Sequence, residues 1–464
     1  MAETKLHIAM FPWLAFGHIL PFLQLAKLIA SKGHKISFIS TSKNIDRLPQ
    51  IRQPLITFVK LNLPSVDGLP PTAHSTSDLP IEDVHYLKKA YDLLKPQLAD
   101  FLRSSNPDWI VFDYVPFWLP PLARELNIPT VYFSIFLASV MAFVGPPVGE
   151  AEYREKTEDY TARPRWMKLN STVYYRRFEA EKAFPAISGD GELRIVPEFH
   201  RFQQSLRGCD LIAVRSCREI ELEYLDLLEE IQGKPVFPIG VLLSEDNSGS
   251  EDSISGGSDW LGIRKWLDEH KKGSVVYVAF GSEAKPSQDE LTEIATGLEI
   301  SGLPFFWVLR TRRSPDDPEV LELPDGFEVR TQGKGVVWKG WAPQVKILTH
   351  DSVGGFLTHS GWSSVVESLQ FGRPLVLLTF YADQGLNSKL LQEKGVGYLV
   401  PRDELDGRFT REAVAESVRM VVDEEDGRRH RDKAGEMKEL FGHVEKHRSY
   451  VGDFLRYLEA NKLN

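Results

Sequence analysis

The sequence predicts an α/β protein of two doubly wound halves. Three observations carry this. Short apolar runs recur along the chain, each followed by a polar turn and an apolar pattern at helical spacing, as in βαβ units. The 464-residue length suits two or three domains at ~150 residues each. A stretch from 244 to 258 is dominated by Ser, Gly, Asp and Glu, with Ile254 as its only apolar residue. Such a composition cannot bury a core, so it reads as a flexible acidic linker. The expected division is 1–243, linker 244–258, second domain 259–440, and a C-terminal helix within 441–464.

The elements follow in order. Lys5–Phe11 is an apolar strand, and Pro12–His18 a tight turn. Leu20, Phe22, Leu23, Leu25, Ala26, Leu28 and Ile29 form one helical face, ended by Gly33, and Lys35–Ser40 starts the next strand. The turn lacks the Gly-x-Gly-x-x-Gly run of a dinucleotide site. Asp108–Asp113 is a strand with Asp113 at its carboxyl end. In a doubly wound sheet that end shares an edge with the turn carrying His18. Leu126–Gly149 holds no charged side chain and is long enough to span a bilayer. Pro129, Ser134, Ser139, Pro146 and Pro147 interrupt it, so a strand at Thr130–Phe133 and a helix at Ile135–Val144 are expected instead. Leu211–Val214 and Val236–Gly240 are further strands.

Past the linker, strands are expected at Ser274–Phe280, Phe305–Leu309, Val336–Trp341, Val353–Thr358 and Leu375–Phe380. The Val353–Thr358 strand runs through His359 and Gly361 into a helix starting at Ser363-Ser364, whose orphan amides suit an anion. Leu375–Phe380 delivers Asp383-Gln384 at its carboxyl end, where open α/β sheets bind ligands. Thr410–Met420 and Arg428–Phe441 read as helices, and Tyr450–Leu458 as an amphipathic one.

A formal net charge of −10 argues against a nucleic-acid surface. Cys209 and Cys217 are the only cysteines, too few for a disulfide framework or a Cys-based zinc site. With no apolar leader at the N-terminus, a cytoplasmic protein without a membrane span is expected.

One 44-residue box, Trp341 to Gln384, carries a family resemblance. It contains Trp341-Ala342-Pro343-Gln344, then His359-Ser360-Gly361-Trp362-Ser363-Ser364 through Glu367, and closes on Asp383-Gln384. The box resembles the signature of plant UDP-sugar-dependent glycosyltransferases acting on small molecules. The resemblance implies a GT-B fold, two Rossmann-like domains facing across a cleft, the first for the acceptor and the second for the UDP-sugar, with the 441–464 helix packing back on the first. It implies that Trp341 stacks on uracil, the Ala342 backbone reads its edge, Gln344 lies close to the nucleoside and Glu367 accepts from the ribose. His359, Ser364 and the Ser363 amide would hold the diphosphate, with Ser282 facing it from the other side. Asp383 and Gln384 would grip the sugar, and Gly17, Gly361 and Tyr381 would complete the donor site. The indole of Trp362 either meets the donor or only shapes its loop.

The resemblance also makes His18 and Asp113 a catalytic dyad. An imidazole near pKa ~6.5 can take the proton of a hydroxyl during attack, and a neighbouring carboxylate fixes its tautomer. Phe16, Phe117, Trp118, Phe136 and Phe380, with Tyr381, would line an aromatic acceptor pocket, and the irregular region from Gly149 to Phe184 would surround it. No Asp-x-Asp motif is present, so neither a metal nor another cofactor is expected. The expected reaction is inverting transfer of glucose from UDP-glucose to a hydroxyl of a flavonoid, a terpenoid or its glycoside, by a monomer. Ser360, Ser363 and Thr379 stand where Cys, Asn and Pro are usual in the family, similar to the branch that extends sugars already attached. Thr379 is expected to loosen its strand end, and UDP-rhamnose is the alternative donor. Two readings from other classes are an inactive nucleotide-sugar-binding protein and a lumenal, membrane-tethered glucuronosyltransferase. The first sits poorly with His18 and Asp113, the second with the absence of a leader and a C-terminal span.

Overall fold

The computed structural model describes residues 5–145, 154–188, 196–243, 257–281, 284, 286–312 and 320–463. Seven strands form the first sheet: β1 (His7–Phe11), β2 (Lys35–Thr41), β3 (Ile56–Leu61), β4 (Trp109–Phe112), β5 (Thr130–Ser134), β6 (Leu211–Val214) and β7 (Val236–Pro238). Their order is β3-β2-β1-β4-β5-β6-β7, and every pairing is parallel. Six strands form the second: β8 (Val275–Ala279), β9 (Phe305–Val308), β10 (Gly335–Trp338), β11 (Val353–Thr358), β12 (Leu375–Leu377) and β13 (Gly397–Leu399). Their order is β10-β9-β8-β11-β12-β13, again all parallel. Helices cover the faces, which is why β4, β5 and β8 are buried at every position instead of alternating.

Each sheet reverses its winding once, between β1 and β4 in the first and between β8 and β11 in the second. Crevices open at the carboxyl ends of strands at such points. The turns after β1, β4, β8 and β11 are therefore the places where side chains can meet a ligand.

β3 and β13 were not foreseen. β3 is an edge strand with partly exposed positions, and β13 has only three residues, so neither shows as an apolar run. Residues 244–256 of the expected linker lie outside the described residues. The uncharged stretch from 126 folds as β5 and the helix Ala138–Val144, and among the described residues no helix is long and apolar enough to cross a membrane.

The last helix, Val444–Ala460, packs on the first sheet although it follows the second. Val451, Phe454, Leu455 and Leu458 sit in one core with Leu6, Ile8, Ile19 and Val111. The Trp109 indole donates to the Leu458 carbonyl at 3.1 Å, and Lys462 pairs with Asp108 at 2.7 Å. Leu458 is fully buried. Leu458→Ala is expected to destabilise the protein by about 2–5 kcal/mol, seen as a lower urea midpoint; an unchanged midpoint would show that this helix does not hold the first sheet.

Candidate active site

A cleft of about 900 Å³ runs between the carboxyl ends of the two sheets. One wall is built by the turn after β1. Helix Phe16–Ser31 begins there, with His18 in its first turn. Phe11 of β1 stands beside Phe112 of β4, so Asp113 emerges next to that turn. His18 Nδ1 lies 2.7 Å from Asp113 Oδ2. The same carboxylate accepts from the Trp13 amide at 3.1 Å and, through Oδ1, from the Tyr114 amide at 2.7 Å. A carboxylate held this way only accepts, so Nδ1 carries the proton and Nε2 has the basic lone pair. Asp113 is 1% exposed, while His18 lines the cleft. Phe136 and Tyr114 flank the imidazole at 5.7 and 5.8 Å.

The opposite wall comes from the second sheet. After β11 the chain turns through Ser360, whose φ of 71° is left-handed, into helix Trp362–Gln370. That helix has Gly361 as its N-cap and no side chain capping it. Its first amides are therefore open to an anion beside the positive end of the helix dipole. His359 sits against two glycines. A Cβ on Gly361 would lie 2.4 Å from Nε2, and one on Gly281, itself at φ 75°, 2.9 Å from Cε1. Burial lowers the His359 pKa to about 4, so the ring is neutral at neutral pH. Glu367 accepts from Gln344 Nε2 at 2.7 Å, and Gln344 is itself held by Tyr277 at 3.2 Å and touches Ser364 at 3.2 Å.

Asp383 and Gln384 lie on the loop after β12. Gln384 Oε1 accepts from the Phe380 amide at 2.9 Å and the Tyr381 amide at 3.3 Å, which leaves its NH₂ group to donate. Gly17, His359, Gly361, Trp362, Ser363, Ser364, Glu367, Tyr381, Asp383 and Gln384 all line the cleft with His18. Trp341, Ala342 and Gln344 do not. Trp341 is 67% exposed, a flat indole beside the second sheet, and Gln344 reaches the cleft through Glu367 and Ser364. Ser282 lies outside the described residues. The Trp362 indole is 5% exposed and donates to the Arg215 carbonyl at 2.8 Å. It shapes the loop and joins the two halves.

Three acceptor expectations are corrected. Phe16 and Phe136 line the cleft, but Phe117, Trp118 and Phe380 do not. Phe117 lies under Arg201 and against His200. Trp118 is buried, with its indole bonded to Asp92 at 2.9 Å. Phe380 packs edge-on against Phe280 at 5.2 Å. Phe380 adjoins Tyr381, and Phe117 and Trp118 follow Asp113 closely in the chain; Trp118 and Phe380 are buried in cores and Phe117 packs against one. The described residues of the region expected around the acceptor, 154–188, are absent from the cleft lining. Nor is Thr379 loose: its hydroxyl is bonded to Glu179 at 2.8 Å and to Arg176 at 2.9 Å.

Two residues were missed. Arg215 follows β6, and its Nη1 donates to Ser363 at 2.6 Å, while Nε and Nη2 hold the Val241 and Leu242 carbonyls at 2.9 and 3.3 Å. Burial lowers its pKa to about 10, so it keeps its charge beside the uncapped helix. Asn387 is buried and joins the loops that follow β11 and β12, donating to Ser360 O at 3.1 Å and Asp383 Oδ2 at 2.7 Å. A basic residue at a strand's carboxyl end was the available signal for Arg215. Asn387 offered none. Among the described residues no group of three or more His, Cys, Asp or Glu is arranged to hold a metal ion.

Residues 263–430 match the family described as UDP-glucoronosyl and UDP-glucosyl transferase. Over 464 residues the chain is 49% identical to UDP-glycosyltransferase 91A1 of Arabidopsis thaliana, covering 99% of this chain and 98% of that protein. It is 40% identical to the soyasaponin III rhamnosyltransferase of Glycine max, over 99% of this chain and 97% of that protein. The fold is similar to that of Phytolacca americana UGT2 complexed with UDP-2fluoro-glucose and pterostilbene, with a TM-score of 0.74, 23% identity, and 99% of both chains covered.

The depressed His359 pKa has a measurable consequence. Between its ordinary 6.5 and about 4, the unfolded chain takes a proton that the folded protein refuses. Stability is therefore lost as pH falls through that window, on the order of 3 kcal/mol from this group. His359→Gln should flatten the fall in urea midpoint between pH 7 and pH 4.5 relative to the parent; parallel curves would contradict the assignment.

Proposed function

Because the chain belongs to the UDP-glycosyltransferase family and transfers sugars from UDP-sugars to small molecules, we propose that it does so by in-line displacement with His18 as general base. The observation that carries this is the pairing of walls in one cleft. A carboxylate-oriented imidazole stands on one side, and an uncapped helix N-terminus with His359 and Arg215 on the other.

The acceptor hydroxyl loses its proton to His18 Nε2 as its oxygen bonds to the anomeric carbon of the sugar. Asp113 stabilises the imidazolium as it forms. The bond from that carbon to the diphosphate oxygen breaks on the opposite face, and UDP leaves with the electron pair. The amides of Ser363 and Ser364 and the charge of Arg215 meet the growing negative charge. Attack from the face opposite the leaving group inverts the anomeric centre, so UDP-glucose gives a β-glucoside. The exposed Trp341 indole stacks on uracil, the Ala342 backbone reads its edge, and Glu367, held by Gln344, accepts from the ribose. Asp383 and the Gln384 NH₂ bind sugar hydroxyls.

Phe16, Leu20, Leu23, Val84 and Phe136 make an apolar wall suited to a flat or polycyclic acceptor, and Gln24, Lys27 and Lys88 add polar groups for an attached sugar. The acceptor class is thus a flavonoid, a terpenoid or a glycoside of either. The two free, buried thiols suit a reducing compartment, in keeping with a cytoplasmic monomer.

Glucose is the proposed sugar. The test is incubation of candidate aglycones and glycosides with UDP-glucose and UDP-rhamnose together, with sugar analysis of the product; rhamnose in the product overturns the choice of glucose. His18→Ala should retain UDP binding while turnover falls by ~10²–10⁴-fold. Unchanged turnover removes the base.

A further inference from the structure

We propose that Tyr175, Arg176 and Glu179, on the first-sheet side of the molecule, are positioning residues that set the sugar-binding loop of the second and so tune which UDP-sugar is held. This rests on the reading above that Asp383 and Gln384 bind the sugar.

The loop runs from Thr379 to Gln384, and three hydrogen bonds from across the interface hold it at two residues, Thr379 and Ala382. The Tyr175 hydroxyl donates to the Ala382 carbonyl at 3.1 Å. Ala382 has φ of 56°, in the left-handed region that a Cβ disfavours, so its conformation needs such external support. The Thr379 hydroxyl donates to Glu179 Oε1 at 2.8 Å and accepts from Arg176 Nη2 at 2.9 Å. Arg176 Nη2 also donates to Glu179 Oε1 at 2.5 Å, closing a buried triangle. Immediately past the loop, a Cβ on Gly385 would lie 2.6 Å from the Glu179 carboxyl carbon. The carboxylate thus rests on the backbone next to Gln384.

The same segment also holds the far end of the helix that the loop enters, Gln384–Glu393. Glu393 accepts from the Ser171 hydroxyl at 3.3 Å and the Thr172 hydroxyl at 2.8 Å. One stretch of chain, Ser171–Glu179, therefore braces both ends of that helix. None of Ser171, Tyr175, Arg176 and Glu179 lines the cleft, so any effect on the donor passes through the loop. Hydrogen bonds to sugar hydroxyls are lost by sub-ångström shifts, whereas the uracil and ribose contacts lie on the box before β12 and do not move with this loop.

The experiment uses the full chain. Tyr175→Phe and Thr379→Val each remove one hydroxyl at nearly constant shape. Affinities for UDP and UDP-glucose are measured by calorimetry, with KM, kcat and the ratio of glucose to rhamnose transferred. The expected result is UDP affinity within about twofold of the parent, KM for UDP-glucose raised by about 3- to 10-fold, the size of one lost hydrogen bond, and a changed sugar ratio. Thr379→Ser, which keeps the hydroxyl, should restore parental values. Equal loss of UDP and UDP-glucose affinity would mean a merely structural role and overturn the inference, as would variants indistinguishable from the parent. A parent protein that binds neither UDP nor UDP-glucose would overturn the donor-site reading itself, and this inference with it.

Discussion

The bond between His18 and Asp113 depends on the register of two parallel strands. Phe11 and Phe112 stand side by side, and both chains leave the sheet at the same edge. The reversal of winding between β1 and β4 keeps the space above that edge open. Two main-chain amides then orient the carboxylate before it meets the ring. The tautomer of His18 follows from donor and acceptor chemistry alone, because an ionised carboxylate can only accept. The second sheet repeats the plan between β8 and β11, where a helix N-terminus replaces the dyad. One architecture thus places a carboxylate-oriented imidazole on one wall and an uncapped helix N-terminus on the other.

The two halves are joined by more than the chain between them. The last helix closes the core of the first sheet, and buried polar contacts cross the interface beside the cleft. Trp362 to the Arg215 carbonyl, Arg215 to Ser363, and Tyr175 to the Ala382 carbonyl each place a hydrogen bond next to a second-sheet loop that lines the cleft. Buried polar groups are retained where partners satisfy them, and they fix relative position more sharply than apolar packing does. A reaction that needs attacking and leaving atoms in line has reason to use them.

Much of this was legible in the residue order. Fully buried parallel strands are continuous apolar runs, and most strands were found that way. The dyad was readable because strand ends in a doubly wound sheet converge by topology. What failed was side-chain direction. Phe380 adjoins Tyr381, Phe117 and Trp118 follow Asp113 closely in the chain, and an aromatic in such a stretch faces the ligand or the core with the same residue pattern. Arg215 and Asn387 went unseen because Ser363 and Ser360, the partners that tie them to the cleft, come from segments that only tertiary packing brings close. The Ser171–Glu179 segment looked irregular and polar, and so suggested a variable acceptor loop. Its polarity is explained by the Thr379 and Glu393 bonds across the interface.

In the proposed reaction the acceptor oxygen and the leaving diphosphate occupy opposite faces of the anomeric carbon, between the walls that His18 and Ser363 define. The anomeric configuration of the product formed from UDP-α-glucose, read from the proton coupling of the anomeric centre by nuclear magnetic resonance before any equilibration, tests this. In-line displacement gives a β-glucoside throughout the reaction. An α-glucoside would rule it out, since retention cannot arise from a single displacement assisted by one base.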